Sequence, residues 1–142
     1  MIDRLSIRDR PSGPPVMLQR WSELLFLHWR VDPAALRPRV PHGLEIDTFD
    51  GSAWIGLTPF RITGIRPPFL PALPVVSHSL ELNVRTYVVR EGVPGVWFFS
   101  LDASNPLAVP AARVSFRLPY RFARMSMESS ATDVIAFRSV RR

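Results

Sequence analysis

From residue 80 to residue 85 the chain alternates strictly between apolar and polar positions, and the extended stretch runs on to residue 89. Side chains of an extended strand point to its two faces in turn, so Leu80, Leu82, Val84 and Val88 form one apolar face. Glu81, Asn83, Arg85 and Tyr87 form the other, with an acid, an amide, a guanidinium and a phenol in one row. A surface strand also carries charges. An amide and a phenol in strict register with them read instead as the wall of a polar pocket.

The same reading places the other elements. Residues 17–21 and 24–31 are extended and rich in bulky apolar side chains. Asp32-Pro33 offers an N-cap with proline at the first helical position, predicting a short helix through Leu36 that Pro38 and Pro41 end. A hairpin is predicted between 44–49 and 53–62 around Asp50-Gly51. Residues 66–74 hold four prolines and must be an irregular loop. A second hairpin joins 80–89 to 96–101 through a six-residue turn, 90–95. Asn105-Pro106 starts the one substantial helix, 107–116, in which Pro110 falls near the first turn. Residues 122–127 and 134–140 form a last hairpin. The sum is an α+β domain, mostly antiparallel β, with residues 1–15 as a flexible lead-in and 16–142 as a single β-rich unit.

Composition narrows the chemistry. At 142 residues, 46% hydrophobic and 21% charged, the chain is one globular domain. There is no cysteine, which removes disulfides and thiolate metal sites. All 18 basic side chains are arginine, so no lysine is available to form a Schiff base. The net charge of +6 comes from arginines scattered between Arg4 and Arg142, many beside acids, and no nucleic-acid reader motif accompanies them. The first ten residues mix Asp3 and Asp9 with three arginines and do not form a secretory signal. The apolar run 24–27 is far too short to span a bilayer. A cytoplasmic protein without membrane or nucleic-acid partners is expected. No two histidines have metal-ligand spacing, so no metal and no cofactor are expected.

Several segments carry a family pattern. They are Gln19-Arg20-Trp21 with the stretch from Leu25 to Trp29, Phe49-Asp50-Gly51-Ser52-Ala53-Trp54, and the run from Glu81 to Val88. Phe99-Ser100-Leu101-Asp102-Ala103 and the stretch from Ala112 through Leu118-Pro119-Tyr120 to Met125 complete it. The pattern resembles the uncharacterised bacterial family called domain of unknown function 2071, in the acetoacetate decarboxylase-like superfamily. That resemblance covers about residues 17–138 and implies a partial or complete β-barrel with one main helix. Members usually continue for several more strands, so the chain is expected to lack C-terminal strands. The superfamily's decarboxylases use a Schiff-base lysine beside a second lysine, with an acid on a preceding strand. By resemblance Tyr120 takes the first lysine's position, Arg121 the second, and Glu81 the acid's. Decarboxylation through a lysine is thereby excluded.

The site expected from these residues has Glu81 as proton carrier and Tyr120 as oxyanion donor, the two catalytic candidates. Arg121 and Arg85 are anchors for an anion, with Asn83, Arg113 and His28 as further ligand-binding candidates. Glu81 and Arg85 lie four residues apart on one strand face, about 13 Å, so each needs its own partner. Plain alternatives stand beside each role: surface ion pairs for Glu81 and Arg85, a core hydroxyl for Tyr120, solvent for Arg121 and a structural histidine for His28. Asp102 reads as a turn residue, and Arg113 as its partner or Glu81's. The four tryptophans, Trp21, Trp29, Trp54 and Trp97, read as core or pocket lining. The expected ligand is a small organic, anionic molecule, handled by lyase-like acid–base chemistry. A non-catalytic binding or sensing module and a truncated relic are the alternatives, and homo-oligomer formation is left open.

Overall fold

The computed structural model describes residues 2–75, 77–130 and 134–141. Eight strands form one sheet: β1 (Leu18–Ser22), β2 (Leu27–Val31), β3 (Glu45–Ile46), β4 (Ala53–Arg66), β5 (Ser79–Arg90), β6 (Val93–Ala103), β7 (Tyr120–Ser129) and β8 (Ile135–Arg141). Their spatial order is β1-β4-β5-β6-β7-β8. β2 shares one edge of β4 with β1, and β3 extends the β4 edge of β5. All pairings are antiparallel except β6 with β7. No pairing among the described residues joins β8 to β1, so the sheet stays open. Of the expected barrel, the partial form is what the chain builds.

Two short helices are described, α1 (Pro33–Leu36) and α2 (Ala108–Phe116). α1 begins as read: the Asp32 carboxylate accepts from the Ala34 N–H at 2.8 Å, with proline at the first position. Arg37 then donates to the carbonyls of Val40, Pro41 and Leu44, which fixes the turn that buries Leu36 and Val40. α2 has no cap from Leu107. The buried Asn105 supplies it, accepting from the N–H groups of Leu107 and Ala108 at 3.0 and 3.1 Å. The same amide donates to the carbonyls of Val75 and His78, both at 3.0 Å. One side chain therefore ties the proline-rich loop to the start of the helix.

The first predicted hairpin requires correction. Asp50 and Gly51 do make a tight left-handed turn, at φ 52° and 70°, closed by mutual bonds between Phe49 and Ser52. Pairing stops there, and Glu45 and Ile46 pair with Val89 and Val88 of β5 instead. Beyond Ala53 both edges of β4 are already occupied, one by β2 and the other by β5. The second hairpin is tighter than read: Glu91 and Gly92, at φ 52° and 79°, make the whole turn, and Arg90 faces Val93.

Phe60, Leu101, Ala53 and Ala123 are almost completely enclosed. The tryptophans are less so. Trp21 and Trp29 are about half exposed, although Trp21 packs on Phe60 with ring centroids 4.8 Å apart. No described helix is long and apolar enough to cross a membrane.

Candidate functional site

Parallel strands need a crossover connection, and here α2 provides it between β6 and β7. The crossover lays α2 beside the sheet and leaves a cavity of about 550 Å³. Ala108, Ala112 and Phe116, spaced four apart, present one stripe of the helix to it. Ile62, Glu81, Ala103 and Tyr120 line it from four different strands, and Met17, Gln19 and Arg66 complete the wall. The register explains why these strand residues converge. Glu81 opposes Phe60 on one side and Ala103 on the other, and Leu101, two residues before Ala103, opposes Tyr120.

Glu81 is the chemically distinctive group of this wall. It is 7% exposed, and no cation pairs with it among the described residues. Its described hydrogen-bond partner is the Tyr120 hydroxyl, 3.4 Å from each carboxylate oxygen. Bonds that long are weak. Burial therefore outweighs the pull of the phenol, and the Glu81 carboxyl is pushed up to about 7. The Tyr120 phenol is pushed above its ordinary range, by burial first and then by the neighbouring carboxylate. It stays a proton donor through neutral pH.

The polar row of β5 is buried at Glu81 and Asn83 and half-buried at Arg85 and Tyr87, where Thr86 and Val88 of the other face are the enclosed residues. Asn83, buried, lies opposite the buried Thr58 of β4, and Arg85 lies opposite Gly56. Gly56 faces His28 of β2 on its other edge. A Cβ on Gly56 would sit 3.3 Å from His28 Nε2 and 3.4 Å from Arg85 Cγ, so glycine leaves the room in which both side chains approach across β4. His28 Nε2 is 2.7 Å from the Tyr87 hydroxyl. The structure thus brings Glu81 to Tyr120, and Arg85, Tyr87 and His28 to one another.

It does not bring Arg121 or Arg113 to the cavity. Tyr120 and Arg121 are consecutive on a strand and must point to opposite faces. Arg121 opposes Asp102 on the reverse side of the sheet and is exposed. Arg113 is exposed on α2, outside the Ala108–Ala112–Phe116 stripe. Asp102 is partnered by Arg141, not by Arg113. Arg66 is a cation of the cavity wall that the sequence reading passed over; its guanidinium donates to the carbonyls of Pro68 and Leu70. Its signal was its place at the mouth of the proline loop. Among the described residues no three His, Asp or Glu side chains are grouped to hold a metal ion.

The open, mainly antiparallel sheet with its one helix-carrying parallel crossover has acetoacetate decarboxylase-like structural neighbours. Acetoacetate decarboxylase from Legionella pneumophila superposes with a TM-score of 0.68 at 15% identity, covering 91% of this chain and 46% of that one. The enduracididine biosynthesis enzyme MppR, complexed with the condensation product of pyruvate and imidazole 4-carboxaldehyde, gives 0.62 at 18% identity, covering 84% of this chain and 45% of that one. At such identities the likeness concerns the fold. Residues 18–142 match the family called domain of unknown function 2071, described as an uncharacterized conserved protein, and the chain belongs to that family. The uncharacterized protein YqjF of Bacillus subtilis is 47% identical over 132 residues, which are 93% of this chain and 54% of YqjF. The chain spans about half the length of the curated relative it matches.

Proposed function

We propose that the cavity beside α2 binds a small organic acid or related carbonyl compound, and that Glu81 moves a proton on it. The observation that carries this reading is a buried carboxyl that closes no ion pair among the described residues, on the wall of a largely apolar cavity. A carboxyl that titrates near neutrality can both give and take a proton under working conditions. Tyr120, held protonated, serves as donor to the oxygen where negative charge develops. With no lysine in the chain, proton transfer beside a carbonyl or lyase chemistry without a covalent amine suits these groups. Arg66 is the cation within the cavity wall that can face an anionic ligand. We assign this activity to the unit 16–142, acting in the cytoplasm without nucleic acid.

The test is thermal unfolding of the purified chain with a panel of small carboxylic and keto acids. A ligand at a hundred times its dissociation constant adds about 2.7 kcal/mol, several degrees for a domain of this size. Glu81→Gln should keep the protection and lose any turnover. Protection without turnover by the unaltered chain supports the binding module over the enzyme. Turnover that survives Glu81→Gln, or no protection by any acid, would sink the assignment.

A further inference from the structure

Arg85 stands apart from the other arginines. Arg4, Arg30, Arg61 and Arg141 each close an ion pair with a carboxylate of another element or turn. Arg85 makes neither an ion pair nor a hydrogen bond among the described residues, although it is half-buried and its Nε is shut off from solvent. Exposed arginines without partners are served by water. Arg85 is only partly so served: its Nε is buried and without a partner, and partial removal of a cation from water without a countercharge is costly.

Instead of an acid, Arg85 has rings. Its guanidinium carbon lies 5.3 Å from the Phe26 ring centroid and 6.0 Å from that of Tyr87. His28 stacks with both, its ring centroid 6.4 Å from Phe26 and 5.8 Å from Tyr87, with interplanar angles of 15° and 24°. Aromatic faces hold the guanidinium in place and leave its charge unneutralised. Deeper along the same face, Asn83 and Thr58, 5% and 1% exposed, keep one oxygen each without a partner. The chain therefore leaves polar groups unpaired from Thr58 to Arg85, on a frame that Gly56 opens and the rings fix.

We propose that Arg85, flanked by His28 and Tyr87, binds the oxyanion of a small ligand, a carboxylate or a phosphate, at a site separate from the Glu81 cavity. Neither Arg85 nor His28 lines that cavity, and Arg85 lies four residues along β5 from Glu81, about 13 Å away. The two terminal amino groups of a planar guanidinium offer two parallel N–H donors, which match two oxygens of either anion. The site stands on its own geometry and does not depend on Glu81 being catalytic.

The experiment titrates the isotope-labelled chain with sodium acetate and, separately, with inorganic phosphate at constant ionic strength. The ring protons of Phe26, His28 and Tyr87 are followed by NMR. A saturable shift with acetate alone identifies a carboxylate site, and one with phosphate alone a phosphate site. Arg85→Gln should weaken the binding at least tenfold, whereas Arg121→Gln, on the reverse face, should leave it within twofold. Linear, unsaturable shifts, or none, with both anions overturn the proposal, and the unaltered chain alone decides this if Arg85→Gln does not fold. Binding that survives Arg85→Gln, or is lost in Glu81→Gln, also overturns it by placing the anion elsewhere. Failure of keto acids to bind at Glu81 leaves these readings unchanged.

Discussion

Arg141, near the end of β8, reaches across β7 to Asp102 of β6 and holds it with two parallel bonds, Nη2 to Oδ1 at 2.8 Å and Nε to Oδ2 at 3.1 Å. The carboxylate side chain is 7% exposed and the guanidinium 44%. The partners are therefore unequal. Arg141→Ala strands a buried charge and should cost about 2–3 kcal/mol, while Asp102→Ala leaves a cation that water can serve and should cost about 1–2 kcal/mol. Urea unfolding of both variants checks the order. Equal and negligible losses would mean the pair contributes nothing.

Glu81 makes stability depend on pH in the direction opposite to an ordinary paired carboxylate. Folded, it keeps its proton up to about pH 7, while in the unfolded chain it releases it near its usual 4.5. Between those values the folded state binds more protons, so stability falls as pH rises through the window and levels off above it. The full fall is about 3 kcal/mol. Glu81→Gln should flatten the difference between pH 5 and pH 8, read from denaturation midpoints. A variant profile parallel to that of the unaltered chain contradicts the burial argument.

Asn105 satisfies two helix N–H groups and two loop carbonyls from one buried amide. Asn105→Ala orphans all four, and should cost about 2–3 kcal/mol. Asn105→Asp keeps the cap and loses the loop bonds. It should fall between the two in thermal melts, with faster amide exchange at residues 77–79.

Gly56→Ala tests the meeting of His28 and Arg85 across β4. The added methyl lies 3.3 Å from the His28 ring, which is exposed and can swing away. Stability should change by less than about 1 kcal/mol, since reduced backbone freedom in the unfolded chain offsets the displacement. The 2.7 Å contact between His28 and Tyr87 should nevertheless open, seen as a shift of the His28 ring resonances. Unmoved resonances would show that the glycine is not what permits the approach.

Local rules made most elements legible. Asp32-Pro33 wrote its own helix cap, and the shared face of Glu81 and Asn83 on β5 followed from two-residue alternation. What local rules hide is competition for edges. Nothing in the segment 44–49 says that β2 will already hold the edge of β4, so the hairpin reading failed there. The site was half legible for the same reason. Glu81 and Tyr120 came together as the resemblance implied, but placing Arg121 beside them ignored the alternation that reverses neighbouring side chains on β7. Arg141 acts through a partner fixed only by tertiary register, and Arg66, although bonded within its own loop, reaches the cavity wall only once that loop is placed beside the sheet.

The parallel pairing of β6 with β7 also sets an order of events in folding. The hairpin of β5 with β6 closes over a two-residue turn, whereas Leu101 meets Tyr120 only after α2 has bridged them. Contacts distant in sequence form late because loop closure must precede them. Glu81 and Tyr120 sit on either side of that later join. In a stopped-flow refolding experiment the proposed acid binding at Glu81 should therefore emerge after the β5–β6 hairpin has formed and not with it. A chain interrupted before the crossover closes would carry Glu81 on an open strand face, with no enclosure to keep its carboxyl from water.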